Sequence, residues 1–206
     1  MTNTHWVFTA SYVVLPRENV DTDQIIPARF LTTTDREGLG PHAFNDWRYR
    51  ADGSPDPEFV LNRQASQGAE VLVAGHNFGC GSSREHAVWA LAGAGFRAVI
   101  SSSFADIFRG NALGNGLLPI EVKPEILAEL LANDSPDASV QVNLVTRTLT
   151  LPSGQEIGFA VPPFSRFCLL NDTNEMSFLL DAAPDVVRYE ETHPPTIDTL
   201  RSAVRP

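Results

Sequence analysis

The segment Gly75-His76-Asn77-Phe78-Gly79-Cys80-Gly81-Ser82-Ser83-Arg84-Glu85-His86 crowds three glycines, a thiol, two hydroxyls, a guanidinium and two imidazoles into one stretch. Set between a buried strand and a helix, it would aim the helix's free N–H groups and positive dipole end at a single spot. Glycines at 79 and 81 permit positive φ and a close backbone approach to a ligand. Ser82 and Ser83 would enter the first helical turn together with Arg84, whose planar fork suits a carboxylate. An acidic ligand, carboxylate or phosphate, is what such a place would hold. A serine there could also act as a base, its alkoxide stabilised by the same N–H groups and by Arg84. The alternative is a plain helix start, because Glu85 follows Ser82 at the spacing of a capping box. Three familiar motifs are missing. Arg84 stands where a dinucleotide fingerprint needs its third glycine, no Gly-Lys-Ser/Thr follows as in a Walker A loop, and no Gly-x-Ser-x-Gly elbow occurs.

Other groups are weaker candidates. Asp21 and Asp23 could share a metal, but two carboxylates are few ligands and backbone turn bonding is at least as good an account. Arg29, after the Ile25-Ile26-Pro27 step, could face the same cleft or stay solvated. His76 and His86 read best as hydrogen-bonded structural histidines. Arg109 and Asn111 could reach a ligand at a neighbouring strand end, although packing of Ile107, Phe108 and Leu113 explains most of that segment. Cys80 sits near the expected helix start, where a thiol pKa is lowered.

The elements that must position these groups follow from periodicity. Residues 70–74 read as a buried strand, 82–94 as a helix ended by Gly93 and Gly95, 96–101 as a second strand and 105–113 as a short helix. A third strand over 117–122 and a helix over 125–132, entered through Pro124, complete the alternation. Strand and helix alternating at this spacing imply parallel crossover units in a layered α/β fold. Upstream, 6–15 is a β-branched and aromatic run that predicts a first strand. Residues 32–56 are polar and rich in Gly and Pro yet carry Phe44, Trp47 and Tyr49, which suits either a packed functional loop or a surface excursion pinned by Trp47. After Asp134, 140–151 and 156–159 alternate around Pro152-Ser153-Gly154 as a hairpin, and 174–180 resembles a last short helix. Beyond Tyr189 little remains to bury, so a mobile tail is expected over 191–206.

Composition bounds the function. The chain has 206 residues, a net charge of −10 and two cysteines, Cys80 and Cys168, far apart and in no CxxC pair. One domain of this size needs no disulfide or structural metal for stability. The acidic balance argues against a general nucleic-acid or anionic-membrane binder. An apolar run long enough to span a membrane and a basic secretion leader are both lacking, so the cytoplasm is the expected location. Two cysteines cannot build an iron–sulfur cluster that wants four thiolates.

Together, Asn19-Val20-Asp21-Thr22-Asp23-Gln24-Ile25-Ile26-Pro27, Gly79-Cys80-Gly81-Ser82-Ser83-Arg84-Glu85-His86-Ala87 and the stretch 111–119 closely resemble the small-subunit family of the bacterial 3-isopropylmalate dehydratases. More widely, they are similar to the mobile C-terminal domain of aconitase. The likeness covers roughly residues 1–190, including Asp46-Trp47-Arg48 and Cys168-Leu169-Leu170-Asn171. It implies a swivelling β/β/α domain over 1–190 that closes over a large subunit carrying a [4Fe-4S] cluster, with no metal or cofactor held by this chain alone. It further implies Ser82 as the base that removes and returns a carbon-bound proton, with Asp23 orienting the site. Ser83 and Arg84 would hold a substrate carboxylate, and 29–33, beginning at Arg29, would meet the substrate's side chain. The implied reaction is isomerisation of 2-isopropylmalate to 3-isopropylmalate by dehydration and rehydration, a step of leucine biosynthesis. Related hydro-lyases acting on citraconate/2-methylmalate or homoaconitate remain near alternatives, and a non-catalytic anion-binding module a more distant one. The partners implied are the large subunit and a small dicarboxylate, without nucleic acid or membrane.

Overall fold

The computed structural model describes residues 4–32 and 36–193. Two compact units divide the chain, Met1–Asn171 and Asp172–Pro206. In the first, strands β1 (Val7–Leu15), β2 (Val71–Ala74), β3 (Ala98–Ser101), β4 (Leu118–Glu121), β5 (Ser139–Asn143), β6 (Thr148–Thr150) and β7 (Glu156–Gly158) join in one sheet, ordered β4-β3-β2-β1-β5-β6-β7. Helices α1 (Thr22–Ile25), α2 (Asn45–Arg48), α3 (Glu85–Gly93), α4 (Asp106–Gly114), α5 (Pro124–Ala132) and α6 (Pro163–Asn171) accompany it.

β1 is the hinge of this topology. Its first half, Val7 to Ser11, pairs antiparallel with β5, and its second half, Tyr12 to Leu15, pairs parallel with β2. The second half is buried throughout, as are β2 and β3, because helices cover both faces of the parallel strands. One face buries Tyr12, Val14, Val71, Val73 and Ile100 with Leu127 and Leu130 of α5. The other buries Val13, Leu15, Leu72 and Val99 under Ile25, Ala87, Val88, Leu91 and Phe108. Strands β1, β2, β3 and β4 are mutually parallel, so their carboxyl ends, and the loops that leave them, gather on one edge.

The expected α/β architecture is present, with three differences in detail. The 140–151 run contains two strands, β5 and β6, parted by a turn with Arg147 at φ 59°, so the hairpin extends to a three-stranded antiparallel meander. The helix α6 lies beyond that meander, in a stretch for which periodicity indicated no element; its buried side is short, Cys168 and Leu169. Gly95, at φ 101°, ends α3 as anticipated, whereas Gly93 remains helical and packs against the backbone of Gly40. In the irregular stretch, Phe44 is fully buried and stacks on half-buried Trp47, over which the Arg17 guanidinium lies at 4.1 Å. The described stretch is therefore packed around Phe44 and Trp47.

The second unit contains α7 (Glu175–Asp181), capped by the Asn174 side chain, and α8 (Ala183–Thr192). α8 runs past Tyr189, so residues 190–192 belong to a helix. The rest of the stretch expected as a tail, 194–206, lies outside the described residues, as does Thr33.

Candidate active site

The loop 75–84 leaves β2 on the edge where the parallel strands end, and two neighbours clamp it. On one side, Asn19 N donates to His76 O at 2.8 Å, Gly79 N to Val20 O at 2.8 Å and Thr22 N to Cys80 O at 2.8 Å. On the other, Phe78 N donates to Ser103 O at 3.0 Å and Ala105 N to Phe78 O at 3.1 Å. Two glycines make this fit. At positive φ, Gly79 lies against the Phe108 ring and Gly81 against the Asp21 carboxylate, so a Cβ at either would collide.

These bonds decide where α3 begins. The helix starts at Glu85, with Arg84 as N-cap and no side-chain cap, so the Ser82–Glu85 capping box does not form. Ser82 and Ser83 are exposed and lie outside the helix, just before its N-terminus. The capping box sits instead at α1: Asp23 N donates to Asp21 Oδ1 at 2.6 Å, and Asp21 N donates to Gln24 Oε1 at 2.9 Å. Its signal, Asp followed three residues later by Gln, was visible in the sequence. Asp21 is thus occupied by backbone, and Asp23 forms an ion pair with Arg84. Among the described residues, no group of three His, Cys, Asp or Glu could hold a metal ion.

Of the other residues singled out, Arg29 is joined to α2. It pairs with Asp46 and donates to Asn45 Oδ1 at 2.6 Å, on the wall of an open groove of about 650 Å³ that His42 and Tyr49 also line. Arg109 pairs with Glu121 at the end of β4, and Asn111 carries its carbonyl to Asn115 Nδ2 at 2.9 Å. Neither is brought to the loop 75–84 by these bonds. His76 lies 3.1 Å from Ser102 Oγ, and His86 packs on Trp89. The Cys80 thiol is raised above its ordinary pKa by burial first and the Asp21 carboxylate second, the reverse of the lowering expected beside a helix start. The loop ends before the helix and an acid faces the sulfur.

Sequence reasoning missed Thr22. It is buried, and its Oγ1 donates to Ser82 O at 2.9 Å. Nothing in its type or spacing marked it out. Asn115 was also missed: its Oδ1 accepts from Trp89 Nε1 at 2.9 Å and its amide lies 3.5 Å from Glu85 Oε1, tying the start of α3 to the end of α4.

The edge of a parallel sheet, a glycine-rich turn into a helix and an Arg–Asp pair beside exposed serines meet on one α/β domain. The profile of the aconitase C-terminal domain family matches residues 9–125. A 3-isopropylmalate dehydratase small subunit of Anaeromyxobacter dehalogenans is 59% identical over 184 residues, 89% of this chain and 95% of the relative. One from Roseiflexus castenholzii is 51% identical over 195 residues, 94% of this chain and 96% of the relative. The crystal structure of 3-isopropylmalate dehydratase from Methanocaldococcus jannaschii superposes with a TM-score of 0.64 at 28% identity, covering 90% of this chain and 99% of that one. The chain belongs to the aconitase C-terminal domain family and, within it, to the small subunits of the 3-isopropylmalate dehydratases.

The iron–sulfur cluster general to aconitase-type enzymes does not fit this chain's own donors. Cys168 is buried in α6, Cys80 is a lone thiol in the loop, and no metal-binding group forms among the described residues. No helix among the described residues is long and apolar enough to cross a membrane.

Proposed function

We propose that Ser82 is the base of a hydro-lyase small subunit that takes and returns the carbon-bound proton of 2-isopropylmalate and 3-isopropylmalate. The reading rests on one observation: exposed Ser82, whose carbonyl Thr22 fixes, stands two residues before Arg84, which is engaged by Asp23. Arg84 and Ser83 bind a substrate carboxylate; Asp23 sets the Arg84 fork before substrate arrives. Removing a proton beside a carboxylate builds negative charge, and a guanidinium with the N–H groups at a helix start stabilises it. The proton moves to Ser82 Oγ, acting as its alkoxide, as the C–O bond of the adjacent carbon breaks with its electron pair, giving the alkene, the serine hydroxyl and a hydroxide ion. Returning proton and hydroxyl to exchanged carbons gives the isomer. The cluster belongs, in this reading, to the large subunit, and the complex works in the cytoplasm without nucleic acid or membrane. Arg29, with Asn45 and Asp46, lies on the groove that meets the substrate's side chain, and residues 1–190 act as the swivelling domain.

The test uses the chain co-produced with its large subunit. Ser82→Ala should cut turnover of 2-isopropylmalate by roughly three orders of magnitude or more without loss of assembly. A near-normal rate sinks the base assignment. A panel with 2-methylmalate and homoaconitate separates the related hydro-lyases.

A further inference from the structure

Among the described residues, Thr22 and Ser101 are the buried polar ones, and a buried hydroxyl is costly unless it is hydrogen-bonded. Thr22, 2% exposed, spends both of its donors on the site loop: its N–H on Cys80 O at 2.8 Å and its Oγ1 on Ser82 O at 2.9 Å. Those carbonyls stand on either side of Gly81, whose φ of 94° only glycine adopts easily. Its own carbonyl closes the turn of α1 by accepting from Ile26 N at 2.9 Å. One residue therefore spans the short helix that carries Asp23 and the turn that carries Ser82 and Arg84.

We propose that Thr22 is a positioning residue for Ser82, setting the Ser82–Ser83 peptide through its hydroxyl; the proposal rests on the reading of Ser82 as base. A trans peptide is planar, with its C=O and N–H pointing opposite ways, so anchoring Ser82 O on Thr22 turns the Ser83 N–H away from α1. Among the described residues, the N–H groups of Ser82 and Ser83 make no backbone–backbone hydrogen bond. Ser82 is exposed, so its carbonyl can turn to water once the Thr22 hydroxyl is gone. Valine fills the volume of threonine; what it lacks is the bond that fixes the serine. Loss of that bond moves Ser82 while the fold stays intact.

The experiment compares wild type, Thr22→Val, Thr22→Ser, Ser82→Ala and the Thr22→Val/Ser82→Ala double variant, each assembled with the large subunit, by steady-state kinetics on 2-isopropylmalate. Thr22→Val should lower kcat about 10- to 100-fold while KM stays within about twofold, the mark of a misplaced reacting group. Thr22→Ser should recover most of the rate, and the double variant should be no slower than Ser82→Ala alone. Thr22→Ala gives the same comparison if valine hinders assembly. A wild-type kcat for Thr22→Val, equal damage from serine and valine, or the same loss on top of Ser82→Ala overturns the positioning role while leaving Ser82 as base. Normal activity of Ser82→Ala overturns the base itself, and with it this proposal.

Discussion

Arg84 and Asp23 stand 61 residues apart in the chain and meet as an ion pair between the N-cap of α3 and the first turn of α1. The Arg84 side chain is only 18% exposed and Asp23 48%, so the guanidinium is partly shielded and its screening by salt reduced. On the proposed reading of the site, the pair presets the fork that a substrate carboxylate would share or take over.

Arg84→Lys keeps the charge and discards the fork. In the assembled enzyme it should raise KM for 2-isopropylmalate by about tenfold or more, the scale of one charge-assisted hydrogen bond. Asp23→Asn, which leaves the fork without its ionic partner, should cost kcat/KM less than Arg84→Lys. Substrate titrations on both variants check the order.

Gly81 meets a different test. Alanine there needs φ near 94° and places its Cβ on the Asp21 carboxylate. Backbone strain alone sets the cost at about 1–3 kcal/mol. Thermal unfolding should show Gly81→Ala below wild type, and pairing it with Asp21→Ser should recover part of the loss.

The Cys80 thiol is raised by burial and by Asp21. At pH 8 it should react with iodoacetamide more slowly than free cysteine, and its rate should climb only above the ordinary thiol range. Asp21→Asn should shift that profile downward. The sign for stability follows: the folded thiol keeps its proton where the unfolded one loses it. Its contribution is therefore full below the unfolded thiol's pKa and is lost as pH rises through the folded one. Mass spectrometry separates Cys80 from the buried Cys168.

Ser101 is fully buried at the end of β3, with Oγ 2.7 Å from Gly75 O and 2.9 Å from Ser103 O. Ser101→Ala leaves a buried carbonyl short of a donor at the root of the site loop. Denaturant unfolding should show a loss of about 1–3 kcal/mol.

How far the sequence reaches is clearest at two elements. β2 was legible because a strand buried on both faces is a continuous apolar run whatever surrounds it. The start of α3 was not. Ser82 and Glu85 have capping-box spacing, yet the backbone there is already bound to Val20, Thr22 and Ser103, and those bonds hold the chain out of helix until Arg84. α8 was missed because a helix was expected where there was something to bury, and none of its residues is buried.

The sequence by itself determined the kinds of groups available: a Gly-x-Gly-Ser-Ser-Arg turn after an apolar strand, acids upstream, and too few cysteines for a cluster. Which of them meet was decided by tertiary structure alone. β1 lies parallel to β2, so the loops leaving both strands emerge side by side, and Asp23 reaches Arg84 while Thr22 reaches Ser82. Arg29, only six residues beyond Asp23, turns to Asp46 instead because the chain has by then left the sheet edge for α2. Residue type and spacing carry no record of that choice, since it depends on strand order, a property of pairing between distant segments.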